Sequence, residues 1–178
     1  WSTASAGTRG NDITWTERAR LTGSGRLVIG ATSVDPLWGI SASLAVEGTT
    51  ANTSAINIVR NSNASSGPYL TFGKSRGTSV GSDTVVQSGD SVGTIAFTAA
   101  DGTDKAHSAA YIQAQIDGTP GGNDLPGRII FATTADGSAS STERLRITSA
   151  GKVCIGGDNT TTATLNINTQ SHYVVTDS

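Results

Sequence analysis

Along this chain apolar and polar residues alternate in short runs. Ile56 and Ile58 alternate with Asn57 and Val59; Ile95 and Phe97 with Thr94, Ala96 and Thr98; Leu145 and Ile147 with Arg144 and Arg146; Leu165 and Ile167 with Asn166 and Asn168. A period of two puts the large side chains of each run on one face of a β-strand. Between the runs stand turn formers: Asp101-Gly102, Asp117-Gly118, the stretch Pro120-Gly121-Gly122-Asn123-Asp124, and Asp136-Gly137. Asp-Gly and Gly-rich pairs favour the backbone of tight hairpin turns. The pattern predicts an all-β chain whose strands recur roughly every 8 to 15 residues.

Lys105 to Ile116 is Ala-rich and carries two readings, helix or strand. As a strand it places Ala110, Ile112, Ala114 and Ile116 on one face and Tyr111, Gln113 and Gln115 on the other. The flanking Asp-Gly pairs suit hairpins and no capping box precedes the segment, so strand is the expectation.

A repeat organises the chain. Residues 17–30 read ERARLTGSGRLVIG and residues 143–156 read ERLRITSAGKVCIG. Each copy reads as a strand, a tight turn with a glycine free to take positive φ, and a second short strand ending in glycine. The likeness runs backwards, WSTASAG (1–7) matching FATTADG (131–137). It also runs forwards, Ser43-Leu44-Ala45-Val46 matching Thr164-Leu165-Asn166-Ile167. A hairpin unit this small cannot bury its own apolar face and must stack on neighbours or wrap with other chains. Three regions follow: 1–48, the end of one repeat unit and a linker strand; 49–92, an unmatched β insertion; and 93–178, a second module.

Composition narrows the function classes. The 178 residues are 35% hydrophobic and 15% charged, with 22 Gly, no Met and a net charge of −2. A basic footprint for nucleic acid and a polybasic membrane patch are both absent from such a chain. No apolar run approaches the roughly 20 residues of a membrane helix, so neither nucleic-acid binding nor membrane insertion is expected. The opening WSTASAGTRG lacks a signal-peptide layout and reads as a chain entered mid-protein. Cys154 is the one cysteine, so no internal disulfide forms, and no Cys/His set has zinc spacing. Cofactor and metal are both expected to be none.

Residues 93–157 resemble the distal modules of tailed-bacteriophage tail fibres and tailspikes. The likeness rests on Ala110-Tyr111-Ile112 through Asp117-Gly118-Thr119-Pro120-Gly121, on Pro126-Gly127-Arg128-Ile129-Ile130-Phe131-Ala132-Thr133-Thr134, on Thr142-Glu143-Arg144-Leu145-Arg146-Ile147 and on Gly151-Lys152-Val153-Cys154-Ile155-Gly156. Cys154 departs from the small or apolar residue usual there. Residues 13–48 resemble the same modules, and 49–92 do not. The resemblance implies an elongated all-β homotrimer with interwound triple β-helix or β-prism segments. It implies a virion protein of the tail fibre, made in the bacterial host cytoplasm and joined to other tail proteins upstream. Its expected target is a host surface glycan or outer-membrane component. Such modules often precede a self-cleaving intramolecular chaperone. By that resemblance the ending Val174-Val175-Thr176-Asp177-Ser178 reads as a mature terminus with Ser178 as the cleavage-site serine.

Three functions remain in play: attachment without turnover, a tailspike that depolymerises polysaccharide, and a purely structural shaft. Attachment leads. No Gly-x-Ser-x-Gly elbow occurs, and Cys154, aligned with Val28, reads as a small core residue. His107 and His172 stand apart with no ligand-spaced partner. Asp83, Asp90, Asp101, Asp104, Asp117, Asp124 and Asp136 mostly lie beside glycine or in polar runs, where turn aspartates belong, although a glycosidase needs only two carboxylates. Glu17 with Arg18, and Glu143 with Arg144, recur at equivalent places and are expected to form inter-chain salt bridges. The receptor-contact candidates are Trp38, Asn61, Asn63 and Tyr69, because sugars bind by aromatic stacking and amide hydrogen bonds.

Overall fold

The structure is a computed structural model and describes residues 1–4, 15–33 and 35–156. The described residues are all-β. The strands are β1 (Ser2–Ala4), β2 (Trp15–Glu17), β3 (Ala19–Leu21), β4 (Leu27–Ile29), β5 (Leu44–Val46), β6 (Ser91–Thr98), β7 (Ser108–Ile116), β8 (Gly127–Thr134), β9 (Ser141–Ile147) and β10 (Val153–Ile155). A single 3-10 turn, Ala51–Thr53, is the helical content among them. Ser178, His172 and the Leu165/Ile167 strand lie outside the described residues.

The chain divides into two compact units, 1–71 with 98–107, and 72–97 with 108–178. The first unit holds the first copy of the repeat. In it β1 pairs antiparallel with β2, and β3, β4 and β5 form a sheet in that order, β4 running antiparallel to β3 and parallel to β5. The second unit holds the second copy and a five-stranded sheet of order β10-β9-β8-β7-β6.

The Ala-rich segment is strand β7. Seven of its residues, Ala110 to Ile116, register antiparallel against β8 from Thr133 back to Gly127. Ala110 faces Thr133, Ile112 faces Phe131 and Ala114 faces Ile129, so the pairing overrides alanine's preference for helix. At one end of the sheet three hydroxyls close the ladder. Ser108, a buried polar residue, shares a 2.9 Å hydrogen bond with Ser141, and Thr134 Oγ1 donates to the Ser108 carbonyl at 2.6 Å. At the other end Ile116 is buried, its N–H donating to Asp90 O at 2.9 Å and its carbonyl accepting from Gly89 at 2.8 Å.

One alternating run does not become a strand. Ile56 to Val59 has no regular secondary structure, and its apolar side chains stand in solvent: Ile56 67%, Ile58 50% and Val59 75% exposed. A strand needs a hydrogen-bonding neighbour as well as a pattern, and this segment has none among the described strands of its own chain.

Candidate functional site

The two repeat copies have the same local geometry. Ser2 pairs with Glu17 and Thr3 with Thr16 in the first, as Ala132 pairs with Glu143 and Thr133 with Thr142 in the second. Arg20 lies opposite Val28 as Arg146 lies opposite Cys154. In both, an arginine is the extra residue of a β-bulge. The register of β8 against β9 jumps between Phe131 and Ala132, leaving Arg144 unpaired, and Trp1 O accepts from both Arg18 N and Ala19 N at 2.8 and 3.2 Å. Arg18 Nε donates to Thr3 Oγ1 at 3.1 Å and Arg144 Nε to Thr133 Oγ1 at 3.0 Å. The turns match as well. Thr22 Oγ1 accepts from Arg26 N at 3.0 Å and Thr148 Oγ1 from Lys152 N at 3.1 Å. Gly25 and Gly151 take φ of 77° and 76°, a conformation that glycine enters without steric cost.

Within the chain each of the two glutamates pairs with an arginine three residues on. Glu143 is bound within the chain by Arg146, Nε to Oε1 at 2.6 Å and Nη2 to Oε2 at 2.7 Å, while Arg144 bonds Thr133. Glu17 is bound likewise by Arg20, not Arg18. The Arg20 hydrogen bond holds the Glu17 carboxyl below its ordinary value. The reason is the bulge. Residues three apart on a regular strand face opposite sides, and the extra residue brings glutamate and arginine onto one face.

That face is the polar one. Gln113 Nε2 donates to Thr94 Oγ1 at 2.9 Å, and Arg128 bridges Gln115 Oε1 and Asp117 Oδ1 at 2.7 and 2.8 Å. Ile130 and Ala132 are buried among these long side chains, with Cys154 beside Arg146. The opposite face is apolar over its middle and toward β10, with Thr133 and Thr142 at its other end. The pairing sets Ile112 and Ala114 beside Phe131 and Ile129, then Leu145 and Ile147, then Ile155 and Val153. Ile95 and Phe97 of β6 share this face, because Thr94 lies with Gln113 on the other. Here Ile95, Phe97, Ile129, Phe131, Ile147 and Val153 are all exposed large hydrophobics. The first unit repeats the arrangement. Val28 is fully buried opposite Arg20, while Leu21, Ile29 and Leu44 are exposed on the other face.

The receptor-contact candidates are dispersed. Trp38 is half-buried on a two-residue turn, with Leu37 and Ile40 exchanging backbone bonds at 3.2 and 2.8 Å. It has φ of 52°, where a bulky side chain is strained. Its N–H donates to Lys105 O at 3.0 Å, which ties the turn to the 100–105 loop. A cavity of 510 Å³ lies there, lined by Asp35, Pro36, Thr103, Asp104 and Lys105 among others. Asn61 and Asn63 are exposed in a loop whose ends Arg60 joins by bonding Ser66, and Tyr69 is exposed beyond it.

Sequence reasoning missed a small cluster. Asp101, Asp104 and His107 bring their ligand-capable atoms within 4.8 Å of one another, all exposed, with His107 Nδ1 3.6 Å from Asp101 Oδ2. The D-x-x-D-x-x-H spacing carried the signal. Asp101 Oδ1 accepts from the N–H groups of Thr103 and Asp104, which lower its pKa, and Asp104 Oδ1 accepts from Ala106. The aspartates thereby shape the loop. Cys154 is buried, as its alignment with Val28 requires.

No protein-family model matches the chain, and none of the curated proteins matches it. Among solved structures it is similar to the carboxy-terminal domain of the bacteriophage T5 L-shaped tail fibre. The likeness has a TM-score of 0.69 at 15% identity, over 95% of this chain and 70% of that one. At that identity the likeness is one of architecture, and the chain has the all-β fold of a phage tail-fibre carboxy-terminal domain.

Proposed function

We propose that this chain is a distal segment of a phage tail fibre that works as a homotrimer and attaches the virion to a host surface glycan or outer-membrane component. The observation that carries the reading is the inverted sheet of the second unit. Its hydrogen-bonded polar face is the better buried one, and its contiguous apolar face is open. Fully burying an Ile, Val or Phe side chain is worth about 1.5–3 kcal/mol. Six half-open side chains therefore leave several kcal/mol per chain to be gained by covering that face. Copies of the same chain around an axis supply the cover, and stability becomes inseparable from assembly. The fold likeness to a tail-fibre carboxy-terminal domain supports the tail-fibre role. Three identical weak sites in one trimer then bind by avidity rather than by one tight contact.

The test has two readouts. Light scattering, with an unheated gel lane in detergent, is expected to give three chains, and a folded monomer sinks the reading. The purified chain is expected to compete with phage adsorption and to bind host polysaccharide without releasing reducing ends. Release of reducing ends points instead to a depolymerase, and no competition to a structural shaft.

A further inference from the structure

Among the described residues, two backbone segments of this chain lack a paired strand, and they suit each other. Strand β6 ends the five-stranded sheet, so among the described residues one side of its eight-residue backbone has no paired strand, and Phe72 packs against it only at Gly93 near its start. Natural edges are guarded by charges, prolines or bulges. β6, SVGTIAFT, has neither charge nor proline. An unguarded edge of this length is a template for another strand. The second segment is 55–59, Ala-Ile-Asn-Ile-Val, strand-patterned, uncharged, in no strand and exposed.

We infer that in the assembly residues 55–59 of one copy add as a sixth strand to the β6 edge of the neighbouring copy. The inference rests on the trimer reading. Around a three-fold axis no edge pairs with its own copy, since self-pairing requires a two-fold, and a closed three-membered ring needs two different surfaces. An orphan strand and an orphan edge are such a pair. Parity agrees: with Ile56 and Ile58 beside Ile95 and Phe97, the added strand widens the apolar face, and Asn57 joins Thr94 and Ala96 on the polar one. Main-chain bonds supply the affinity and the alternating side chains the register.

Asn57→Cys combined with Thr94→Cys, and separately with Ala96→Cys, tests this in a Cys154→Ser background, with the single cysteines as controls. Under mild oxidation one pair is expected to give covalent dimers and trimers on a boiled non-reducing gel. A trimer in which neither pair links chains, or in which a pair closes within one chain, overturns the inference and leaves the trimer reading standing. Monomeric scattering of the unsubstituted chain overturns both. Should the cysteine variants fail to assemble, amide exchange on the unsubstituted trimer decides. Slow exchange of Ile56–Val59 together with the outward amides of β6 upholds the pairing, and exchange of either at loop rates overturns it.

Discussion

Glu143 and Arg146 meet in a two-pronged ion pair, at 2.6 and 2.7 Å, only because Arg144 between them is the extra residue of a bulge. Both side chains are 18% exposed, so truncating one leaves its partner charged and largely desolvated. Arg146→Ala is expected to cost about 1–3 kcal/mol, the range for hydrogen bonds to charged groups. The double variant with Glu143→Ala should cost less than the sum of the two singles. At the first copy, where the pair is 38% and 31% exposed, Arg20→Ala should cost less than Arg146→Ala. Thermal midpoints at one fixed chain concentration check all three. Equal losses at the two sites would mean that burial does not set the strength of the pair.

Gly25 and Gly30 separate two reasons for keeping glycine in the repeat. Both have positive φ, 77° and 84°. A methyl at Gly25 meets nothing within 4 Å, whereas at Gly30 it runs into the Glu47 carbonyl beside the first sheet. Gly25→Ala should therefore cost about 1–2 kcal/mol from backbone conformation alone. Gly30→Ala should cost more, because backbone must shift. Urea unfolding of the two variants side by side reads the difference, and equal costs would remove the close-approach argument.

Asp117 ties the end of β7 to the turn before β10. Its Oδ2 accepts from the Ser149 N–H at 2.8 Å and its Oδ1 from Arg128 at 2.8 Å. The Ser149 bond first, and Arg128 second, lower its carboxyl below the ordinary 3.8. A folded-state value below the unfolded one stabilises above the unfolded pKa, and the gain disappears as pH falls through the folded value. Asp117→Asn is expected to be about 1–2 kcal/mol less stable at pH 7. The gap from the unsubstituted chain should shrink as pH drops below about 4. Melting curves from pH 7 to pH 2 follow it, and a constant gap would show that the charge is not what matters.

Most of the fold was legible because it is written in period two and in turns. The Ala-rich run became β7, the Gly25 and Gly151 turns took positive φ, and Cys154 went where Val28 is. Less legible was anything set by a bulge. Recurrence beside the glutamates singled out Arg18 and Arg144, and one inserted position gave the pairing within the chain to Arg20 and Arg146. The Ile56–Val59 strand failed for a different reason. Alternation records which face is buried in the finished assembly, and the strand's neighbour need not belong to the same chain. The Asp101–Asp104–His107 cluster was missed because His107 was weighed against His172 while Asp101 and Asp104 were read as turn residues.

Trp38 sits at φ 52° on its turn, a position that suits glycine or asparagine. The strain is of the kind that persists at functional positions. Trp38→Gly exchanges side-chain packing for relief of that strain, so the melting temperature should change little. Adsorption competition should fall if the indole contacts the receptor. Unchanged competition would remove Trp38 from the contact surface and leave Asn61, Asn63 and Tyr69 for the same assay.

Phe131 separates assembly from folding. It lies in the middle of β8 between Ile112 and Leu145, on the apolar face, with 37% of its surface open to solvent in the single chain. In a monomer, Phe131→Glu would place a carboxylate where water already reaches, at modest cost. In the proposed trimer the same carboxylate is enclosed by apolar side chains of other copies, where an unpaired charge is expensive. The variant is therefore expected to lose the trimer in light scattering and the resistant band in the unheated gel. Thr133→Glu, on the same face at the polar end of the sheet, should do less harm. If Phe131→Glu remains fully trimeric, the copies meet on some other surface and the apolar face needs a different cover.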